Sequence, residues 1–166
     1  MCGIVGYIGK HQAAPVILEG LSKLEYRGYD SAGMAVFDGE QIQIKKSVGR
    51  LKVLEELTHG GATMPGTIGI GHTRWATHGE PSDANSHPHY NAEETIAVVH
   101  NGIIENYLPL KEKLISKGYT FVSDTDTEVL AHLIDYYYKG NPLEAITKVM
   151  HRVQGSYALG ILRSED

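Results

Sequence analysis

The chain has 166 residues, of which 42% are apolar and 21% charged, a composition typical of a globular domain with its own core. Its net charge of −5 and the lack of a long Lys/Arg run argue against nucleic acid as a main partner, because phosphate binding needs clustered basic side chains. No stretch has the apolar length of a membrane-spanning helix and none resembles a secretory signal, so we expect no membrane partner and a cytoplasmic location.

Hydrophobic periodicity predicts strands interleaved with amphipathic helices. The segments whose apolar pattern predicts strands are 2–8, 34–37, 41–48, 67–72, 95–99, 119–122 and 156–162. The segments with helical spacing are 14–26, 50–57, 107–117, 126–138 and 142–153. Residues 75–91 lack periodicity, and a loop of this length in a compact domain is usually functional. Because hairpin signals occur among the strands, the order predicts an α+β fold of largely antiparallel sheets covered by helices.

The single cysteine, Cys2, directly follows the initiator methionine. A lone cysteine is usually a small buried hydrophobe, and here it can also open a strand by accident. Removal of Met1, which a small second residue permits, gives Cys2 a free α-amino group. The reference pKa values of this amine and of the thiol, roughly 8 and 8.5, suit a base and a nucleophile held in one residue. The position therefore predicts an N-terminal nucleophile.

Three further segments carry groups that can complete such a site. Asn101-Gly102 is predicted to follow a strand end, where a side-chain amide and a backbone N–H can stabilise an oxyanion; the alternative is a plain turn. Arg74 is predicted to leave another strand and hold a carboxylate, unless the Arg74-Trp75 pair is only a cation–π contact. In residues 123–128, a carboxylate either holds an ammonium group or caps the next helix. An arginine and an aspartate together indicate recognition of a free amino acid.

Five of the nine histidines lie close together in the sequence, which raises zinc as an alternative because imidazole is a common zinc ligand. They are His72, His78, His87, His89 and His100. Neither HExxH nor CxxC spacing is present, and glycine-rich phosphate motifs are also missing. We therefore predict no metal and no cofactor.

These motifs together resemble those of the class II glutamine amidotransferases, which are N-terminal-nucleophile hydrolases. The segments that carry the resemblance are 1–6 (MCGIVG), 24–33 (LEYRGYDSAG), 71–79 (GHTRWATHG), 87–89 (HPH), 100–106 (HNGIIEN) and 124–128 (DTDTE). The resemblance implies a four-layer αββα sandwich in which residues 1–166 form a glutaminase domain, incomplete at its C-terminus and without its synthase domains.

The resemblance also implies the chemistry. Cys2 would attack the side-chain amide of L-glutamine, and the resulting γ-glutamyl thioester would be hydrolysed to L-glutamate. Asn101 and the Gly102 N–H would stabilise the oxyanion, while Arg74 would bind the α-carboxylate and Asp126 the α-ammonium group. Further residues implied in the same pocket are Arg27, close to the nucleophile, and Trp75, Thr77, His78 and His87.

The resemblance is strongest to members that pass the ammonia to synthase domains of the same polypeptide and make glucosamine 6-phosphate from fructose 6-phosphate. Two alternatives stay open: the glutaminase domain of a phosphoribosyl-type relative, and a catalytically silent fragment that binds glutamine or glutamate. An unpaired sheet edge near the C-terminus would also favour a homodimer.

Overall fold

The computed structural model describes residues 1–164, and its strands form two sheets in which every neighbouring pair is antiparallel. One sheet contains β1 (Gly3–Ile8), β2 (Ser31–Phe37), β3 (Ile42–Val48) and β4 (Ile68–Arg74). Its spatial order is β1-β4-β2-β3. The other sheet contains β5 (His89–Tyr90), β6 (Ile96–Ile104) and β7 (Gly155–Arg163), with β6 in the middle.

Helices cover the outer face of each sheet. They are α1 (Ala13–Leu24), α2 (Leu51–Leu57), α3 (Tyr107–Ser116), α4 (Glu128–Tyr137) and α5 (Pro142–Met150). The first two pack on the four-stranded sheet, and the last three form a core with β6 and β7. The two sheets face each other across a third apolar cluster, so the layers run helix, sheet, sheet, helix. The predicted αββα sandwich is therefore confirmed.

The side-chain alternation of β2 shows how the layers are held together. Met34 and Val36 point outward and join the cluster around Ile17 of α1, while Ala35 points inward and joins the cluster that contains Ala97 of β6. All five residues are fully buried. Full burial of a side chain such as Met34 stabilises the fold by about 1.5–3 kcal/mol. A strand buried on both faces is apolar throughout, which is why its period-2 pattern is weak in the sequence.

The predicted strand at 119–122 is not formed. The backbone N–H groups of Val122 and Ser123 donate to the Glu128 carboxylate, at 2.9 and 2.8 Å, instead of to a neighbouring strand. Short apolar runs do not reveal which partner will take their backbone hydrogen bonds. The other predicted strands except 95–99, and all the predicted helices, are present with ends within three residues of the predicted ones.

The predicted strand at 95–99 extends through Ile104, because β7 pairs with β6 along its whole length. Asn101 and Gly102 therefore lie inside a strand and not after its end, which corrects the sequence-based placement. Residues 75–91 are a loop as predicted, except that His89–Tyr90 pairs with β6. No helix in residues 1–164 is long and apolar enough to cross a membrane.

Candidate active site

A cavity of about 530 Å³ lies where the ends of β1 and β4 meet the middle of β6. It is lined by all ten residues singled out from the sequence, which are Cys2, Arg27, Arg74, Trp75, Thr77, His78, His87, Asn101, Gly102 and Asp126. These residues come from segments up to 124 positions apart, because Cys2 and Asp126 are at the two extremes. The fold therefore brings the predicted site residues together, while their chemical roles remain predictions.

The Cys2 thiol is half-buried directly before the start of β1, and it contacts the backbone of Trp75, the residue that follows β4. The backbone N–H of Trp75 donates to Cys2 Sγ, with an N···S distance of 3.2 Å. Burial raises the pKa of the Cys2 thiol above its ordinary value, although this hydrogen bond and the positive N-terminal amine act in the opposite direction. The thiol is therefore mostly protonated at neutral pH, and a thiolate nucleophile requires a base nearby.

The Asn101 side chain reaches from β6 to the nucleophile. Its Nδ2 donates to the backbone carbonyl of Cys2 at 3.2 Å, and its Oδ1 lies 2.9 Å from Nε2 of His72. An amide nitrogen carries two N–H donors, so one remains for a ligand beside the thiol.

Gly102 presents its backbone N–H on the cavity edge of β6. The N–H groups of His100 and Ile104 donate away from β7, to His87 Nδ1 at 3.2 Å and Asp126 Oδ2 at 2.7 Å. Because alternate residues of a strand direct their N–H groups to the same edge, that of Gly102 lies between these two. Its φ of 126° and the close Ser156 carbonyl leave no room for a Cβ.

Arg74 is buried at the end of β4 with part of its guanidinium free. Its Nη2 donates to the carbonyl of Gly79 at 3.0 Å and to that of His78, which holds the following loop. Its Nη1 is buried and has no hydrogen-bond partner among the described residues. Since an unpaired buried donor is costly, this nitrogen suits a ligand that brings an anionic oxygen.

Asp126 supplies a carboxylate on another wall of the cavity. Its Oδ2 accepts the N–H of Ile104, and no ion pair with a lysine or arginine is formed by Asp126 in the described part of the chain. Helix capping, the alternative for residues 123–128, is not observed in the described part of the chain: the N-cap residue of α4, Thr127, makes no side-chain cap hydrogen bond, and Glu128 accepts N–H groups of Val122 and Ser123, which lie before the helix. Asp126 therefore keeps its charge available for a cationic group.

Arg27 and Trp75 form part of the rim. Arg27 Nη2 lies 3.9 Å from Met1 Sδ. The Trp75 ring packs edge-on against Tyr29, with centroids 5.4 Å apart, and within residues 1–164 it makes no cation–π contact with Arg74. The cation–π alternative for this Arg-Trp pair is therefore wrong, and the indole remains half exposed.

A family model described as a glutamine amidotransferase domain matches residues 72–166. Glutamine–fructose-6-phosphate aminotransferase (isomerizing) of Caldanaerobacter subterraneus is 66% identical over 98% of this chain, and that of Clostridium tetani is 65% identical over 100%. The chain covers 26% and 27% of these two proteins. This chain belongs to the glutamine amidotransferase family.

A solved structure of glutamine phosphoribosylpyrophosphate amidotransferase from B. subtilis, complexed with ADP and GMP, superposes on the amidotransferase chain with a TM-score of 0.83. It is 30% identical and covers 98% of this chain, while the chain covers 35% of it. The identities place the domain nearer to the fructose-6-phosphate relatives than to this one. The resemblance to the class II amidotransferases is confirmed.

Three histidines of the amidotransferase domain, His72, His87 and His89, form a buried, uncharged group at the cavity. His87 stacks on His72, with centroids 4.0 Å apart and ring planes within 11°. Burial lowers the pKa of His72 to about 3 and holds the pKa values of His87 and His89 well below the usual one. In residues 1–164 no group of three or more His, Cys, Asp or Glu side chains could hold a metal ion.

Two supporting residues of the site were missed from the sequence. Asp30 accepts the N–H of Ala76 at 2.6 Å, and its charge raises the pKa of Cys2. Lys46 donates to three carbonyl oxygens of residues 84–88 at 2.9 to 3.2 Å and so fixes the loop that carries His87. A lysine in a strand is typical of a solvated face, so no sequence signal indicated Lys46.

Proposed function

We propose that the domain hydrolyses the side-chain amide of L-glutamine through a thioester on Cys2. Membership of the glutamine amidotransferase family supports the substrate, and one observation carries the mechanism: a thiol, a free arginine N–H, an unpaired carboxylate and oriented amide donors converge in a single cavity. This set matches the carboxylate, the ammonium group and the reacting amide of glutamine. We expect the same cavity to bind L-glutamate, the product of this hydrolysis, as its second ligand.

Binding uses the two charged groups of the cavity. Arg74 Nη1 donates to the α-carboxylate, while Asp126 accepts from the α-ammonium group. The carboxamide then extends toward Cys2. Trp75, Thr77, His78 and His87 complete the lining around the substrate, and Arg27 lines the same cavity.

The reaction begins when the α-amine of Cys2, freed by removal of Met1, takes the thiol proton. The thiolate adds to the amide carbon, and the N–H donors of Asn101 and Gly102 stabilise the oxyanion. The C–N bond then breaks, the nitrogen takes the proton and ammonia leaves, so that the glutamyl group remains as a thioester. Water adds to the thioester carbon, the C–S bond breaks, and glutamate and the free thiol are released.

We infer that residues 1–166 belong to the glutaminase domain of a longer polypeptide whose synthase domains use the ammonia to make glucosamine 6-phosphate from fructose 6-phosphate. The names of the relatives at 66% and 65% identity support this. The phosphoribosyl alternative has a relative at 30% identity. Assays of the longer protein with fructose 6-phosphate and with phosphoribosyl pyrophosphate would separate the two. A cytoplasmic location and a homodimer through the β7 edge stay predictions.

The nucleophile is tested by intact mass and turnover together. The wild type should lack the mass of Met1, gain one adduct on Cys2 from 6-diazo-5-oxo-norleucine, and release glutamate from glutamine. Cys2→Ala should keep the fold, form no adduct and lose turnover. A Cys2→Ala protein that still hydrolyses glutamine would sink the mechanism. A wild type that binds glutamine without turnover would favour the silent-fragment alternative.

A further inference from the structure

His72 does not line the cavity, yet it contacts Asn101, the side chain proposed as an oxyanion donor. It lies on the inner face of β4 and is fully buried between the sheets. Its Nε2 is 3.0 Å from the backbone carbonyl of His100 and 2.9 Å from Oδ1 of Asn101. From this place His72 reaches the site through Asn101, which it hydrogen-bonds, and through His87, on which it stacks.

The His100 carbonyl decides the tautomer of His72. A carbonyl oxygen only accepts hydrogen bonds, so Nε2 of His72 carries the proton. Burial lowers the pKa of His72 to about 3, so the ring holds a single proton at neutral pH. Nδ1 is therefore unprotonated, and it has no hydrogen-bond partner among the described residues.

The tautomer in turn orients the amide of Asn101. We propose that His72 is a positioning residue whose Nε2–H holds Oδ1 of Asn101 inward and so turns its N–H donors toward Cys2. The reversed amide would place N–H against N–H at His72. In the observed orientation Nδ2 donates to the Cys2 carbonyl at 3.2 Å, beside the thiol. An oxyanion donor that already has its final orientation before the reaction needs no reorganisation during it.

This inference rests on the proposed glutaminase reaction, and an isosteric pair of variants tests it. His72→Met removes the N–H donor. His72→Gln introduces a side chain of nearly the same shape as methionine, but keeps an N–H near the position of Nε2. We expect His72→Met to lower kcat by about 10²-fold, the effect of losing one oxyanion donor, with KM nearly unchanged. His72→Gln should recover most of that loss.

Alkylation of Cys2 by iodoacetamide is the control, because displacement of iodide creates no oxyanion. Its rate should be the same in the wild type and in both variants. If His72→Met keeps its kcat, or if both variants lose kcat equally, the positioning role is overturned. A parallel loss of alkylation would also overturn it, because the variant would then have disturbed the whole site.

The imidazole tautomer gives a readout that does not depend on turnover. Long-range ¹H–¹⁵N correlation spectra of the wild type should show a neutral His72 protonated at Nε2 at pH 7. A proton on Nδ1, or an imidazolium, would overturn the inference even in an active protein. If the wild type fails to hydrolyse glutamine, the proposed function fails, and the spectrum still decides whether His72 orients the amide.

Discussion

The cavity keeps polar atoms buried without protein partners, and these atoms indicate what it binds. Arg74 Nη1 and His78 Nδ1 are both buried and unpaired within residues 1–164. Leaving such an atom unpaired costs about 1–3 kcal/mol, so folded proteins keep few of them unless a ligand or water supplies the partner. Both belong to residues that line the same cavity as Cys2.

Asp126 offers a sharp test of amino acid recognition at the scale of one side chain. Asp126→Asn keeps an oxygen for the N–H of Ile104 and removes the charge. We expect KM for glutamine to rise roughly 10- to 100-fold, the range of a charge-assisted hydrogen bond, with a smaller change in kcat. Steady-state kinetics with glutamine measures the change.

Glutaric acid monoamide, which lacks the α-amino group, is the matched substrate for this variant. The wild type should strongly prefer glutamine to it, and Asp126→Asn should lose most of that preference. If Asp126→Asn discriminates between the two amides as well as the wild type does, Asp126 does not hold the ammonium group.

At the scale of elements, the site depends on how one loop is attached to the four-stranded sheet. Lys46 of β3 donates to the carbonyl oxygens of Ala84, Ser86 and Pro88, and its ammonium nitrogen lies 5.3 Å from the centroid of the Tyr90 ring. The loop thereby holds His87 against His72. A strand distant from the cavity thus determines the position of one of its walls.

Lys46→Met should loosen this loop while leaving the sheets in place. Loss of the ammonium group leaves three carbonyls without their donor, and we expect the free energy of unfolding to fall by about 1–3 kcal/mol. Amide hydrogen exchange should accelerate at residues 84–91, and KM for glutamine should rise.

Lys45→Met is the control, because the neighbouring Lys45 is exposed on the other face of β3. Urea denaturation and hydrogen exchange on both variants compare them directly. Equal behaviour of the two variants would show that the three carbonyl contacts do not hold the loop.

At the scale of the whole molecule, uncharged histidines buried near the sheet interface make stability depend on pH. His72 has a pKa of about 3, and the pKa values of His87 and His89 are also well below the usual one, so none of the three rings binds a second proton in the folded state near pH 6. The unfolded chain binds protons on these residues below about pH 6.5. Since the unfolded state then holds more protons, stability is full above that pH and falls as the pH is lowered.

Between pH 7.5 and 5.5 each of these histidines should lower the free energy of unfolding by about 1 kcal/mol. Urea denaturation at both values measures the total. His89→Gln should reduce this pH dependence by the contribution of one histidine, about 1 kcal/mol. A stability that is constant or increases toward pH 5.5 would contradict the uncharged state of the three rings.

The sequence by itself determined the fold class, the nucleophile candidate and the membership of the site. Apolar periodicity is a local property, and the chemistry of Cys2, Arg74 and Asn101 can be inferred from residue type and position, while the resemblance to the family singled out Asp126 among the carboxylates of residues 123–128. All four line one cavity in the structure.

Only the tertiary structure decided which backbone groups pair and which side chains support the site. Residues 119–122 do not form the predicted strand, because the backbone N–H groups of Val122 and Ser123 donate to the Glu128 carboxylate. Pairing with β7 extends β6 beyond its predicted end. The tautomer of His72 and the anchoring role of Lys46 likewise depend on carbonyl oxygens contributed by distant segments. A sequence pattern records burial along one element, whereas a hydrogen-bond partner is fixed by the packing of several elements.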